Sequence, residues 1–137
     1  MRYLGWLVLC GLGWGCLSLG LLDYVTPVAS ITASIVTAIA VGLIQRHELR
    51  RATGSTWYVL PLLSVLIAMA CYGVTEPAME WLVGGKTWNS GHVEIAAFWR
   101  YPLWFVWYGL TLFSWLTYPL ALATHVLLRK FALPAKA

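Results

Sequence analysis

Ionisable side chains with the potential for chemistry gather in one polar stretch of the sequence, between residues 76 and 100. They are Glu76, Glu80, His92, Glu94 and Arg100. His92 and Glu94 have the residue types to supply two ligands to a metal ion or a pair for acid–base catalysis. Two such groups do not complete a metal site, since zinc is held by three or four protein ligands. We therefore expect these side chains to be solvated anchors of a loop, with no metal, no other cofactor and no enzymatic activity.

A second set of residues, in the second apolar block of the chain, is suited to helix packing. Small side chains recur there at spacings of three and four, which places them in two adjoining rows on a helix. Small residues let another helix approach closely, and hydroxyl groups can hydrogen-bond across the contact. This packing seam consists of Thr26, Ser30, Ala33, Ser34, Thr37, Ala38 and Gly42.

Bulky residues of the fourth apolar block would share one face of a continuous helix. Spacings of four and three alternate through Trp104, Tyr108, Thr111, Trp115, Tyr118, Leu122 and His125. Their polar groups need partners inside a bilayer, so we expect this face to lie against protein, such as the packing seam. The alternative is a pocket for a lipid tail, a quinone or another flat apolar ligand, lined by Trp104, Tyr108, Trp115 and Tyr118. His125 is expected at the membrane surface, and as a lone histidine it does not suit a haem with two axial histidines.

The elements that carry these residues are expected to be membrane-spanning helices. Of the 137 residues, 61% are hydrophobic and only 10% are charged, which argues against a soluble domain. Because lipid offers the backbone no hydrogen-bond partners, each long apolar block is expected to be a helix. The pattern predicts spans at about residues 3–22, 24–44, 57–75 and 101–125, joined by a loop at 45–56 on one side and a loop at 76–100 on the other.

The distribution of basic residues predicts the orientation of these spans. When loops are assigned to alternate sides, seven of the nine Lys and Arg residues fall on one side. Basic loops stay in the cytoplasm, so both termini and the loop at 45–56 are expected there. The principal topology anchors are Arg46, Arg50, Arg51, Arg129 and Lys130. This role explains the charged run QRHELRRATG without a nucleic-acid partner, despite a net charge of +4.

We therefore predict an all-α membrane protein, a single domain over residues 1–137 that forms a four-transmembrane-helix bundle. The first block is expected to be a retained span; the alternative is a signal peptide cleaved near Ser18. The loop at 76–100 exceeds the usual length of a connection, so we expect short interfacial helices that cover the bundle. The cysteines, Cys10, Cys16 and Cys71, lack metal-site spacing and are expected to be packing residues. The charge bias and compact loops favour a bacterial inner membrane.

The expected function is that of a non-enzymatic membrane subunit. Such a subunit would assemble with itself or with a larger membrane complex through the packing seam and contact a partner through its outer loop. No ionisable residue is expected near the middle of a span, which counts against ion-coupled transport. One alternative is a homo-oligomeric channel or holin-like pore, lined by the Thr and Ser residues of the second span. A further alternative is an enzyme that acts on lipid through His92 and Glu94.

Overall fold

The structure, a computed structural model, describes residues 2–21, 26–84, 95–111 and 114–133. These ranges are helical along most of their length and contain no strand, which confirms the prediction of an all-helical chain for the part described. The elements are α1 (Arg2–Leu21), α2 (Pro27–Arg51), α3 (Thr56–Gly84), α4 (Ala97–Thr111), α5 (Ser114–Leu127) and a π-helical segment (Leu128–Ala132).

Three of these helices are long and apolar enough to cross a membrane. They are α1 over Arg2–Gly20, α2 over Pro27–Arg51 and α3 over Thr56–Val83. The axes of α4 and of α5 with its π-helical extension differ by 93°, and only if this bent pair crosses as one unit does the described chain have a fourth span. The predicted membrane character is therefore supported, with three spans or up to four.

Helix α2 continues beyond the point where the sequence predicted a loop. Its first residue is Pro27, whose fixed φ suits the first turn of a helix. It then runs through the charged segment to Arg51, so the predicted loop at 45–56 was wrong over its first seven residues. Arg, Gln and Glu are good helix formers, and basic side chains are favoured in the last turn by the helix dipole. The chain reverses at Gly54, whose φ of 56° lies in the left-handed region that favours glycine.

Helix α3 is also longer than predicted and takes in the start of the predicted outer loop. It extends to Gly84, so Glu76 and Glu80 are helical residues. Two prolines, Pro61 and Pro77, lie inside α3. Proline removes one backbone donor, and membrane helices tolerate it because neighbouring groups satisfy the carbonyl that is released.

The predicted single helix over residues 101–125 is divided into α4 and α5, so the residues of the predicted aromatic face lie on two helices. The alternation of four and three places residues on one face only while the helix is continuous, whereas α4 ends at Thr111 and α5 begins at Ser114 in a different direction. Pro119 lies inside α5.

The bundle is held by close helix contacts at small residues and by a hydrophobic cluster at one end. A Cβ added at Gly11 would lie 2.6 Å from the Cα of Ile35, so α1 meets α2 with almost no space between the backbones. Helices α3 and α4 meet equally closely, where a Cβ at Gly73 would lie 2.5 Å from the Cα of Pro102. The buried cluster joins the start of α1 to the end of α2, the start of α3 and the π-helical segment. It consists of Tyr3, Leu7, Leu49, Ala52, Leu60, Leu128, Ala132 and Leu133.

The five topology anchors lie at this same end of the bundle, which we call the basic end. The Arg46 guanidinium lies 5.1 Å from the centre of the Tyr3 ring, and that of Arg129 lies 4.9 Å from the centre of the Trp57 ring. Arg129 also donates a hydrogen bond of 2.9 Å to the carbonyl of Ala52. These contacts bring together the start of α1, the end of α2, the start of α3 and the π-helical segment.

Candidate functional site

A cavity of about 420 Å³ lies between the helices, and residues of α1, α2, α3, α4 and α5 line it. We call it the chamber. Its volume falls within the range of about 300 to 1,000 Å³ that is usual for small-molecule sites. Most of its wall is apolar or aromatic, with contributions from Leu7, Trp14, Val41, Met69, Phe105 and Ala121. Among the described residues, no Asp, Glu, Lys or Arg lines it.

Three polar side chains from three helices meet at the part of the chamber nearest the basic end. They are Gln45 of α2, Ser64 of α3 and His125 of α5, which we call the polar triad, and their exposed fractions are 5%, 6% and 6%. The hydroxyl oxygen of Ser64 lies 2.8 Å from His125 Nε2 and 2.9 Å from the carbonyl of Leu60, and it also hydrogen-bonds to Gln45 Oε1. Because the hydroxyl has a single proton, Ser64 donates to one of these groups and can accept from the imidazole.

Two atoms of the polar triad have no hydrogen-bond partner in the described part of the chain. They are Gln45 Nε2 and His125 Nδ1, and both are buried. A buried polar group without a partner costs about 1 to 3 kcal/mol, which is why native proteins contain few of them. Both side chains line the chamber. The chamber therefore joins an apolar wall to three buried polar side chains, two of which carry an atom without a hydrogen-bond partner among the described residues.

The packing seam of α2 lies between α1 and α3 of the same chain. Ser30, Ala33, Ser34 and Thr37 are buried, Ala38 and Gly42 are half-buried, and Thr26 is exposed. The hydroxyl of Ser30 is 2.6 Å from that of Ser18 in α1 and 2.8 Å from that of Tyr72 in α3, while the hydroxyls of Thr37 and Thr75 are 3.1 Å apart. These hydroxyls bond across helix contacts, as small-residue seams allow. Ser34, Thr37, Ala38 and Gly42 also line the chamber.

The four aromatic residues proposed for a ligand pocket are divided by the bend between α4 and α5. Trp104 and Tyr108 line the chamber, and their ring centres are 4.8 Å apart. Trp115 is 73% exposed, and Tyr118 donates a hydrogen bond of 3.0 Å to the carbonyl of Tyr58. Neither Trp115 nor Tyr118 lines the chamber.

Two carboxylates of the predicted outer-loop cluster, those of Glu76 and Glu80, are described by the structure. They were expected to be solvated, but both are buried. Glu76 is fully buried and Glu80 is 6% exposed, because the continuation of α3 directs them into the bundle. Glu80 Oε1 accepts hydrogen bonds from the backbone nitrogen of Thr26, at 2.8 Å, and from its hydroxyl, at 2.6 Å. Glu80 thus supports the start of α2 from another helix.

Of the remaining members of that cluster, the structure describes only Arg100. Arg100 is exposed on α4. His92 and Glu94 lie outside the described residues. Within the residues that are described, no group of three or more His, Cys, Asp or Glu side chains is arranged to hold a metal ion.

The polar triad is the part of the site that the sequence did not reveal. The sequence pattern groups Gln45 with the charged run and predicts His125 at the membrane surface, and it assigns no role to Ser64. The available signal was weak: each is a polar residue beside or within an apolar block. Their meeting depends on contacts across 19 and 61 positions of the chain, which a single sequence does not show.

Comparison with known proteins gives no relative from which a function could be carried over. No protein-family model, no curated protein and no solved structure matches this chain. The chamber and its polar triad are therefore the features from which a function is to be argued.

Proposed function

We propose that this chain is a non-enzymatic integral membrane protein that binds a neutral amphiphilic molecule in the chamber between its helices. The observation that carries this proposal is the pairing of an apolar cavity of about 420 Å³ with the buried polar side chains of Gln45, Ser64 and His125, which line it. The apolar part of such a molecule would lie against the aromatic and aliphatic wall, and its polar head would bond to the triad. A single ligand of this kind would fill the apolar cavity and hydrogen-bond to the polar triad.

The composition of the chamber wall favours a ligand without net charge. No charged side chain lines it among the described residues. Burial of an unpaired ionised group in an apolar site costs several kcal/mol, so a carboxylate or phosphate head would be unfavourable there. Hydroxyl, carbonyl and similar neutral heads carry no such cost once their hydrogen bonds are made.

The polar triad lies at the basic end of the chamber. This position favours an elongated ligand whose polar head lies near one membrane surface. Gln45 directly precedes Arg46, the first of the topology anchors. Ser34, which also lines the chamber, is eleven residues earlier on α2, which corresponds to about 16 Å along a helix. A head at the triad would therefore leave room for an extended apolar chain that points toward the centre of the bundle.

A pair of matched variants on α5 tests whether the chamber binds such a molecule. Ala121 lines the chamber, whereas Ala123 is exposed and does not. A phenylalanine at position 121 would fill part of the cavity, and the same side chain at position 123 would project outward. The protein, in phosphatidylcholine nanodiscs, is exposed to a long-chain alcohol that carries a diazirine, and photolabelled peptides are identified by mass spectrometry.

We expect the wild-type protein and Ala123→Phe to be labelled at chamber-lining residues, and Ala121→Phe to lose most of that labelling. Labelling of Ala121→Phe at the wild-type level would contradict the proposal, as would labelling confined to outward-facing residues. Thermal unfolding of each variant, followed by tryptophan fluorescence, shows whether it retains the fold.

The orientation of the chain is also part of the proposal. We propose that both termini face the cytoplasm and that the membrane is a bacterial inner membrane. The support is that Arg46, Arg50, Arg51, Arg129 and Lys130 come together at the basic end, and basic residues are retained on the cytoplasmic side. Reporter fusions to each terminus in a bacterial host test this, and a periplasmic signal from either fusion would contradict it.

Assembly with further copies or with a larger membrane complex stays a prediction. Ser30, Ala33 and Ser34 of the packing seam are covered by α1 and α3 of the same chain. Any assembly would therefore use another surface, and light scattering of the protein in mild detergent would measure the number of chains. The homo-oligomeric pore likewise stays a prediction; of its proposed lining residues, Ser30, Ser34 and Thr37 are buried within one chain and Thr26 is exposed.

A further inference from the structure

We propose that the basic end of the bundle carries a binding site for the headgroup phosphate of an anionic phospholipid. This site is separate from the chamber, and the proposal does not depend on what the chamber binds. It is argued from a cleft at the basic end, from an arginine that is held beside this cleft, from the charge around it and from the apolar surface next to it.

The cleft has a volume of about 360 Å³ and lies where the connection between α2 and α3 meets the π-helical segment. We call it the basic cleft. It is lined by Ala52, Thr53, Gly54, Trp57, Tyr58 and Arg129. Thr53, Gly54, Tyr58 and Arg129 are exposed, so the cleft is open to the surroundings of the protein. None of its lining residues lines the chamber.

Two contacts hold the guanidinium of Arg129 beside the basic cleft. It donates a hydrogen bond of 2.9 Å to the carbonyl of Ala52, and its central carbon lies 4.9 Å from the centre of the Trp57 ring. A guanidinium has five N–H donors in a planar fork, and among the described residues Arg129 bonds only to Ala52. Its other donors can therefore bind a phosphate, which arginine contacts through two parallel hydrogen bonds. Because the side chain is already ordered, binding costs less conformational entropy.

The charge around the basic cleft favours an anionic ligand. In the described part of the chain, none of the five topology anchors forms an ion pair with a carboxylate, and the carboxylate of Glu48 lies 3.3 Å from His47 instead. Basic residues at a membrane surface attract anionic lipids. We therefore expect a phospholipid with a net negative charge to bind more tightly than a zwitterionic one.

The surface next to the basic cleft favours a phospholipid over a soluble phosphate compound. Tyr58 lines the cleft, and Leu62 follows it by four residues on α3, so the two share one face of that helix. Both side chains are exposed. Val126, which precedes Arg129 by three residues, is exposed as well. A headgroup in the cleft would thus place its acyl chains beside apolar side chains that nothing else covers among the described residues.

Native mass spectrometry tests this proposal. The protein in detergent micelles is titrated with phosphatidylglycerol or with phosphatidylcholine of the same acyl chains, and the dissociation constant of the first bound lipid is measured. We expect the wild-type protein to bind phosphatidylglycerol about tenfold more tightly than phosphatidylcholine. Arg129→Gln removes the guanidinium, so we expect it to weaken the binding of phosphatidylglycerol by about tenfold.

Arg46→Gln is the matched control. Like Arg129, Arg46 is exposed and lies over an aromatic ring, 5.1 Å from the centre of the Tyr3 ring, but it does not line the basic cleft. Both variants lose one positive charge from the basic end. We expect Arg46→Gln to weaken the binding of phosphatidylglycerol by less than about threefold, because salt screens an exposed charge that does not contact the ligand.

A second pair of variants keeps the charge constant. Arg129→Lys replaces the planar fork by a single ammonium group, so we expect a loss of about threefold, and Arg46→Lys should bind as the wild-type protein does. Thermal unfolding, followed by tryptophan fluorescence, shows which variants retain the fold. If Arg129→Gln does not fold, the two lysine variants carry the test.

A greater loss at Arg129 than at Arg46 would support a phospholipid site in the basic cleft. Equal losses within the matched pairs would overturn the proposal, because lipid would then be attracted to the basic end as a whole. Equal affinity of the wild-type protein for the two lipids would also overturn it. So would displacement of phosphatidylglycerol by an equal concentration of glycerol 3-phosphate, since the site would then hold a soluble phosphate compound.

Discussion

Two glycines on helix α1 provide a direct test of the packing between α1 and α2. Gly11 and Gly13 are two residues apart on the same helix, so their side chains would point in different directions. A Cβ at Gly11 would lie 2.6 Å from the Cα of Ile35 and 3.1 Å from the carbonyl oxygen of Ser34. A Cβ at Gly13 would have no atom of a neighbouring helix within 4 Å.

The comparison of Gly11→Ala with Gly13→Ala isolates the cost of separating the two helices. Either change stabilises the helix itself by about 0.5 to 1 kcal/mol, because glycine has the greater backbone freedom when unfolded. This gain cancels when the variants are compared with each other. What remains is the overpacking at Gly11, where backbone atoms would have to move apart by about 1 Å, at a cost of about 1 to 3 kcal/mol.

Unfolding by sodium dodecyl sulfate in mixed micelles, followed by tryptophan fluorescence, measures the difference. We expect the free energy of unfolding to rank Gly13→Ala at or above the wild-type protein, and Gly11→Ala about 1 to 3 kcal/mol below Gly13→Ala. Values for both variants at or above that of the wild-type protein would refute the close contact between α1 and α2. A loss at Gly13 equal to that expected at Gly11 would mean that the outward face of α1 is covered by something else.

Two further substitutions are expected to lower stability in the same unfolding assay. Glu80→Ala removes the carboxylate that accepts two hydrogen bonds from Thr26, so we expect a loss of about 1 to 3 kcal/mol, and Glu80→Gln, which keeps one acceptor, should lose less. Tyr72→Phe removes the hydroxyl that bonds to Ser30 but keeps the edge-to-face contact with Phe105, so we expect a loss of about 1 kcal/mol. Unchanged stability in either case would show that the hydrogen bond is replaced by water.

The helical character of the chain could be predicted from sequence because it depends on local composition. Long apolar blocks require helices in a membrane, and three of the four predicted blocks are matched by continuous helices. The helix ends were less predictable. The end of α3 depends on the burial of Glu76 and Glu80 within the bundle, which is a tertiary contact. The change of direction between α4 and α5 is not indicated by the sequence, because the spacing of bulky residues continues unbroken from one helix to the next.

The candidate site was only partly predictable, for a related reason. The small residues of α2 were recognised because their spacing is regular within one helix. Gln45, Ser64 and His125 belong to three helices, and each taken alone is an ordinary polar residue. A site assembled by tertiary contacts leaves no periodic pattern in the sequence that forms it.

The bond between Glu80 and Thr26 has a consequence for how the protein is made. The two residues are 54 positions apart, so at a ribosome speed of about 5 to 20 residues per second Thr26 emerges several seconds before its partner exists. Until α3 has formed, the backbone amide of Thr26 lacks this acceptor, so the first turn of α2 gains the bond only after the third helix has been made.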